Sequence, residues 1–225
     1  VIGQDADETR IRIMRFTLEA IHDCTVQTVE EIRQQRSLPG VTWIDVQGLA
    51  DEQLIRAIGE EFSIHLLTLE DVVNVPKRPK TEIFDTHQFY ISRMVRVDAH
   101  HKLDVEQVSL FFGNGFVLTF QERHGDVLDP VRKRMRNPQG QIRKSGADYL
   151  AYAIIDTIID GYYPVLEHFG EYLEAMESSV VAHATPAMLD RINRVKRSLI
   201  ALRRGIWPQR DAINSLIRDD SPFVS

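Results

Sequence analysis

The sequence has one cysteine, Cys24, in 225 residues. No intramolecular disulfide can form, and a zinc site held by paired thiolates is excluded along with a disulfide-stapled secreted scaffold. A positive excess is also missing, because 27 Lys and Arg stand against 33 Asp and Glu for a formal net charge of −6. A general nucleic-acid footprint needs the opposite sign, so the expected partners are cations and other proteins, with no nucleic acid. Long apolar runs are missing too. The most apolar stretch, Leu150 to Leu166, holds Asp156 and Asp160. Each would cost about 2.5–3.5 kcal/mol at a bilayer centre, and the stretch falls short of the roughly 20 apolar residues a spanning helix needs. Val1 to Arg10 lacks the basic, apolar and small-residue order of a signal peptide, so the chain is expected to stay where it is made. There is no glycine-rich phosphate loop, no paired-histidine zinc-protease motif and no nucleophile elbow, which leaves enzymatic chemistry without a visible anchor.

What is present suits a packed core. The chain is 43% hydrophobic and 27% charged, too apolar for disorder, and its length fits one large domain or a domain with an appendage. Before about residue 145, strand and helix signals mix. Ile11 and Ile13, Ile44 and Val46, and the β-branched and aromatic run Phe89 to Val97 follow strand period. Val108 to Phe120 reads as two strands around Gly113-Asn114-Gly115, a turn tolerant of positive φ. Asp51 can cap a helix carrying Leu54, Ile55, Ile58 and Phe62, and Asp129-Pro130 opens another. The expectation is a mixed sheet with helices packed on it.

Beyond that point strand signals stop. Leu150, Ile154, Ile158, Val165, Phe169, Leu173 and Met176 recur at helical spacing, with a kink expected at Pro164. Thr185-Pro186 opens a second stripe through Leu189, Ile192, Val195, Leu199, Leu202 and Ile206, so an antiparallel helical hairpin is expected. Its charges are segregated: residues 146–183 carry seven acidic side chains and no Lys or Arg, and residues 184–218 carry eight basic and two acidic ones. Solvated faces with some inter-helix pairs account for most of these, including Glu167, Glu171, Glu174 and Glu177.

Two acidic features stand apart. Asp156 lies within Ile154-Ile155-Asp156-Thr157-Ile158-Ile159, where a carboxylate needs hydrogen bonds, a counter-charge or a metal, and the residue pattern leaves these open. Glu70-Asp71 follows His65-Leu66-Leu67-Thr68-Leu69. A divalent cation would relieve the repulsion of adjacent carboxylates, and Mg²⁺ favours oxygen ligands in weak, adjustable sites; an exposed acidic pair at a helix terminus is the alternative. His100-His101, between Asp98 and Asp104, could collect a soft transition metal or form a solvated turn. His65 reads as a hydrogen-bonded structural histidine, and Trp43 and Trp207 as core or interface anchors.

The run His65 to Asn74, then Arg78-Pro79-Lys80, Glu106-Gln107-Val108-Ser109, Phe120-Gln121-Glu122-Arg123, Gly125-Asp126-Val127, Asp129-Pro130-Val131-Arg132, Asp148-Tyr149-Leu150 and Ile206-Trp207-Pro208 resembles the CorA family of divalent-cation channels. These motifs recur in order over roughly residues 10–220. The resemblance implies a mixed α/β (α+β) fold: a cytoplasmic αβα domain over residues 1–145, paired long helices over 146–220, and the start of a linker at 221–225. It implies a homopentameric Mg²⁺ channel of the inner or plasma membrane, in which intracellular metal at subunit interfaces favours the closed state. The family continues into a stalk helix, two membrane-spanning helices and a Gly-Met-Asn ion filter. The sequence here ends at Ser225, so the expectation is the intracellular portion, weakly associated or monomeric by itself and joined to the membrane through those later helices. Carried over by motif, Asp71 matches the regulatory Mg²⁺ ligand that faces an aspartate on the neighbouring stalk, and Glu70 and Asp156 match positions near a second intracellular site. Leu66 stands where the family often has proline. The metal ions implied are Mg²⁺ with Co²⁺ or Ni²⁺; Zn²⁺, through a zinc-transporting branch, and a stand-alone metal-binding scaffold are the alternatives.

Overall fold

The computed structural model describes residues 7–98, 100–182, 186–218 and 220–224. Strands β1 (Arg10–Phe16) and β2 (Ile21–Val26) form an opening hairpin, followed by helix α1 (Val29–Arg36) and strand β3 (Val41–Gln47). Helices α2 (Glu52–Glu61) and α3 (Leu66–Val73) precede a meander of β4 (Lys80–Ile83), β5 (His87–Val97), β6 (Leu103–Gly113) and β7 (Phe116–Gln121). The chain then turns helical, with α4 (Asp129–Arg136), α5 (Gln141–Lys144), α6 (Ala147–Asp160), α7 (Tyr162–Ala182) and α8 (Pro186–Arg218).

The strands form one mixed sheet in the order β2-β1-β3-β7-β6-β5-β4, in which β3 and β7 pair parallel and the other neighbours antiparallel. Both faces are covered, which is why the central strands are buried along nearly their whole length. Period-two alternation divides their side chains. Ile13, Ile44, Phe89, Phe111 and Leu118 pack with Ile55, Ile58, Leu69 and Val72 of α2 and α3. Met14, Trp43, Tyr90, Leu110, Phe112 and Val117 pack on the other side with Val131 and Met135 of α4 and Leu150, Ile154 and Ile158 of α6. The result is an αβα sandwich.

The expected turn between β6 and β7 is present, with Gly115 at φ 77°. Asp51 caps α2, accepting from the Leu54 N–H at 2.9 Å, and Asp129-Pro130 opens α4. Trp43 is core; Trp207 is 61% exposed on α8 and is not core. The expected single helix through residue 180 is divided: it stops at Asp160, turns at Gly161 and resumes at Tyr162. Pro164 explains the place, because its ring would clash with the carbonyl four residues earlier, at Asp160, whereas in the first turn of α7 its missing N–H costs nothing. The break lets α6 and α7 follow different lines, α6 over the middle of the sheet and α7 over the far end of β5 and β6 beside α8. Val165, Phe169 and Met176 of α7 pack with Val195 and Leu202 of α8 around Val95, and Thr185, expected to cap α8, lies outside the described residues. A polar link between the two helices is Arg191 Nε donating to the Tyr172 hydroxyl at 3.1 Å.

Two buried connections tie helices to strands. Arg132 of α4 is 4% exposed; its guanidinium makes two hydrogen bonds to Asp126, at 2.7 and 2.6 Å, and one to Asp45 of β3 at 2.7 Å. Thr119 and Gln121 of β7 both donate to the other Asp45 oxygen, at 2.8 and 2.7 Å, and Trp43 Nε1 donates to Thr119. At the other end of the sheet, Gln209 of α8 is 2% exposed. It donates to Ser92 and accepts from the Arg93 N–H and the Tyr162 hydroxyl. β4 pairs with β5 only from Gln88 to Ile91, so Gln209 satisfies the strand edge where β4 has ended.

Replacing Arg132 with Met leaves Asp45 and Asp126 buried without their counter-charge. Denaturant unfolding should show a loss of about 3–5 kcal/mol, as for other buried pairs broken on one side; a loss under about 1 kcal/mol would show that the cluster does not hold the sheet to α4.

Candidate functional site

The first acidic feature sits on α3, an eight-residue helix. His65 caps it, Nδ1 accepting from the Leu67 N–H at 3.2 Å, which is the structural role expected of this histidine. Leu69 and Val72 face the sheet and fix the helix rotation, so Glu70 is exposed and Asp71 half-buried. Successive residues diverge by about 100° around a helix, and the two carboxylates do not converge on one point. The Asp71 carboxylate meets two lysines of its own chain: Lys77 Nζ lies 3.0 Å from one oxygen and Lys80 Nζ 2.6 Å from the other. Burial pushes the Asp71 carboxyl up, but Lys80 and Lys77 outweigh it and hold it below the usual carboxylate range. The pair therefore contributes stability at neutral pH that is lost as the pH falls through that lowered value.

Gln107 of β6 sets this geometry. Its side-chain amide donates to the Asp71 carbonyl at 2.8 Å and its oxygen accepts from the Lys77 N–H at 2.7 Å, so the end of α3 and the lysine-bearing segment are held to one strand residue.

Asp156 belongs to the opposite layer. It is half-buried on α6, whose neighbours Ile154, Ile155 and Ile158 turn into the core, and it opens on two cavities of about 590 and 490 Å³. The larger is bordered by Asp160 one turn further along, by Arg96 and Arg134, and by His168. Within one chain the sheet stands between Asp156 and the Glu70-Asp71 pair, and among the described residues no group of three or more His, Cys, Asp or Glu could hold a metal ion. His101 Nδ1 is 2.8 Å from His168 Nε2, and its ring stacks on His168 and Tyr172.

Other residues of the ordered motifs form a polar cluster at the edge of the larger cavity. Glu106 is 1% exposed; Arg96 Nη2 donates to it at 3.1 Å and to Asp104 at 3.1 Å. The Arg123 N–H donates to Glu106 at 3.0 Å while its guanidinium reaches Asp104 at 2.7 Å. This cluster was missed in the sequence because Glu106 and Arg123 come together only across the β6–β7 hairpin, and the alternation of β6, with Glu106 on the face of Val108 and Leu110, is the signal that could have located it. Burial raises the Glu106 carboxyl to about 7, against the pull of the Arg123 N–H and the Arg96 charge. A raised carboxyl binds its proton more tightly in the folded state, so the stability it contributes is present at low pH and lost as pH climbs toward 7. The stability of wild type minus that of Glu106→Gln should fall between about pH 4.5 and pH 7 and then level off; a flat difference across that window in pH-dependent unfolding would contradict the burial assignment.

A family model described as CorA-like Mg2+ transporter protein matches residues 39–225. Over 223 residues, 99% of the chain, the sequence is 37% identical to the cobalt/magnesium transport protein CorA of Thermotoga maritima, and it spans 64% of that protein's length, less than two thirds. Among solved structures, the soluble domain of CorA from Methanocaldococcus jannaschii superposes with a TM-score of 0.76 at 17% identity, covering 95% of this chain and 82% of that one. The complete structure of the CorA magnesium transporter from the same organism gives a TM-score of 0.77 at 15% identity, over 96% of this chain and 65% of that one. The structural likenesses establish the fold. Among the described residues no helix is long and apolar enough to cross a membrane.

Proposed function

Because this chain belongs to the CorA-like Mg²⁺ transporter family, we propose that it is the cytoplasmic portion of a divalent-cation transporter carrying Mg²⁺ and Co²⁺ across the inner or plasma membrane. The observation that carries this reading is a likeness to a cobalt/magnesium transport protein that runs along nearly the entire chain. The same name favours the Mg²⁺ reading over the zinc-transporting one. In this proposal the part up to about residue 145 gathers the α3 acids, the helices of residues 146–220, of which α6 also covers one face of the sheet, form the connection toward membrane segments, and residues 221–225 begin the linker.

The proposed regulation follows from charge and topology. Asp71 and Glu70 lie on one outer layer and Asp156 on the other, so an ion held by both features needs two copies of the chain, consistent with a ring such as the homopentamer. A Mg²⁺ ion at Asp71 competes with Lys77 and Lys80, which keeps the site weak and reversible over cellular concentrations. When internal Mg²⁺ is high, carboxylates from neighbouring copies share ions and the closed state is favoured. When it falls, the lysines reclaim Asp71, the shared border loosens, and the equilibrium moves toward opening. The ion acts only through its differential affinity for the two states.

In the full-length protein, Asp71→Asn should leave Mg²⁺ currents poorly inhibited by internal Mg²⁺ while the protein still assembles and conducts. Current recordings with wild-type inhibition in this variant would refute the role given to Asp71.

A further inference from the structure

We propose that the cleft enclosed by the β5–β6 turn, α7 and α8 binds a multiply charged phosphate anion. The cleft has a volume of about 320 Å³, at the lower end of small-molecule pockets, which run from about 300 to 1,000 Å³. Lys102 borders it from the β5–β6 turn, and Arg191, Arg194 and Arg197 border it from α8. No Asp or Glu is among its lining residues, although the chain as a whole carries a net charge of −6.

The three arginines follow one another at intervals of three, which keeps them on neighbouring positions of one helix face. Like charges brought together this way repel, and an anion between them removes the repulsion. Arg191 is oriented by the Tyr172 hydroxyl and lies over the Tyr172 ring. Arg194, Arg197 and Lys102 have no carboxylate partner within 4.0 Å among the described residues. Glu171 and Glu177 of α7 are exposed, as a solvated face requires, and Arg191, Arg194 and Arg197 of α8 border this cleft.

The walls suit an anion with several oxygens. Guanidinium groups present paired N–H donors to phosphate oxygens, and the Lys102 ammonium adds a point charge. Ser198 brings a hydroxyl, and the stacked rings of His101 and Tyr172 form a rigid side wall. Beneath them Val195, 3% exposed, and the packed Val105 and Leu103 make the floor. A soluble pyrophosphate-type group, free or carried by a nucleotide, matches this donor set.

The test is calorimetric titration of the 225-residue chain with inorganic pyrophosphate in the presence of a chelator, at low and physiological salt. Saturable one-to-one binding is expected, weakened at least about tenfold in the double variant Arg194→Gln/Arg197→Gln. The variant Arg203→Gln/Arg204→Gln removes the same charge outside the cleft and should weaken binding less than about twofold. Circular dichroism and thermal unfolding of both variants should match the wild type, since the replaced side chains are exposed. Absence of pyrophosphate binding, or equal weakening in the two variants, would overturn the proposal. Binding only to vesicles carrying a phosphomonoester lipid would also overturn it, in favour of a membrane surface.

Discussion

A complete β-sheet stands between α3 and α6, and the arrangement of every acidic side chain of interest depends on it. Glu70 and Asp71 ride on the layer that packs against Phe89 and Phe111, whereas Asp156 rides on the layer that packs against Tyr90 and Leu110. Neither feature can reach the other through a core this well filled. A divalent ion shared between them has to take its ligands from more than one chain, which is the premise of the proposed regulation.

Buried charges tie the middle of the sheet to α4. β3 and β7 are the one parallel pair, lying at the middle of the sheet with no hairpin to join them. Arg132, Asp45 and Asp126 span that junction, with Thr119 and Gln121 filling the remaining acceptor positions. A cluster of this kind gives little net stability over an apolar equivalent, yet any single member is costly to remove, so it specifies one packing of α4 on the sheet. Gln209 does the same for α8, meeting the Arg93 N–H where the edge strand ends. These contacts give polar residues of the ordered motifs structural roles: Gln107, Gln121, Asp126 and Arg132 hold backbone and side chains in register.

Much of the architecture could be read from the sequence. Alternation in Ile11–Ile13 and Ile44–Val46, the Asn114-Gly115 turn and the Asp51 and Asp129-Pro130 helix starts are local signals, and each is realised in place. β2 and α1 were not read, because Ile21–Val26 is a half-exposed edge strand and α1 buries only Ile32. The candidate site was less legible. Adjacent carboxylates at Glu70 and Asp71 suggested an ion to relieve their repulsion, but relief for Asp71 comes from Lys77 and Lys80, brought back by a loop whose path Gln107 decides. Asp156 looked buried from its apolar neighbours; helical geometry instead turns those neighbours inward and leaves it at the mouth of two cavities. Long-range pairing, which no local pattern encodes, is the reason for Asp71, and the rotation of side chains around α6 is the reason for Asp156.

Asp71 is the pivot of the proposed regulation: two lysines hold it within one chain, and an ion has to displace them to bind there. The most direct measurement is an anomalous-scattering map of the full-length assembly crystallised with Co²⁺. The account predicts a peak at the border between copies, within coordinating distance of an Asp71 carboxylate that has left Lys77 and Lys80. Borders without cobalt, with Asp71 still paired to both lysines in every copy, would contradict it.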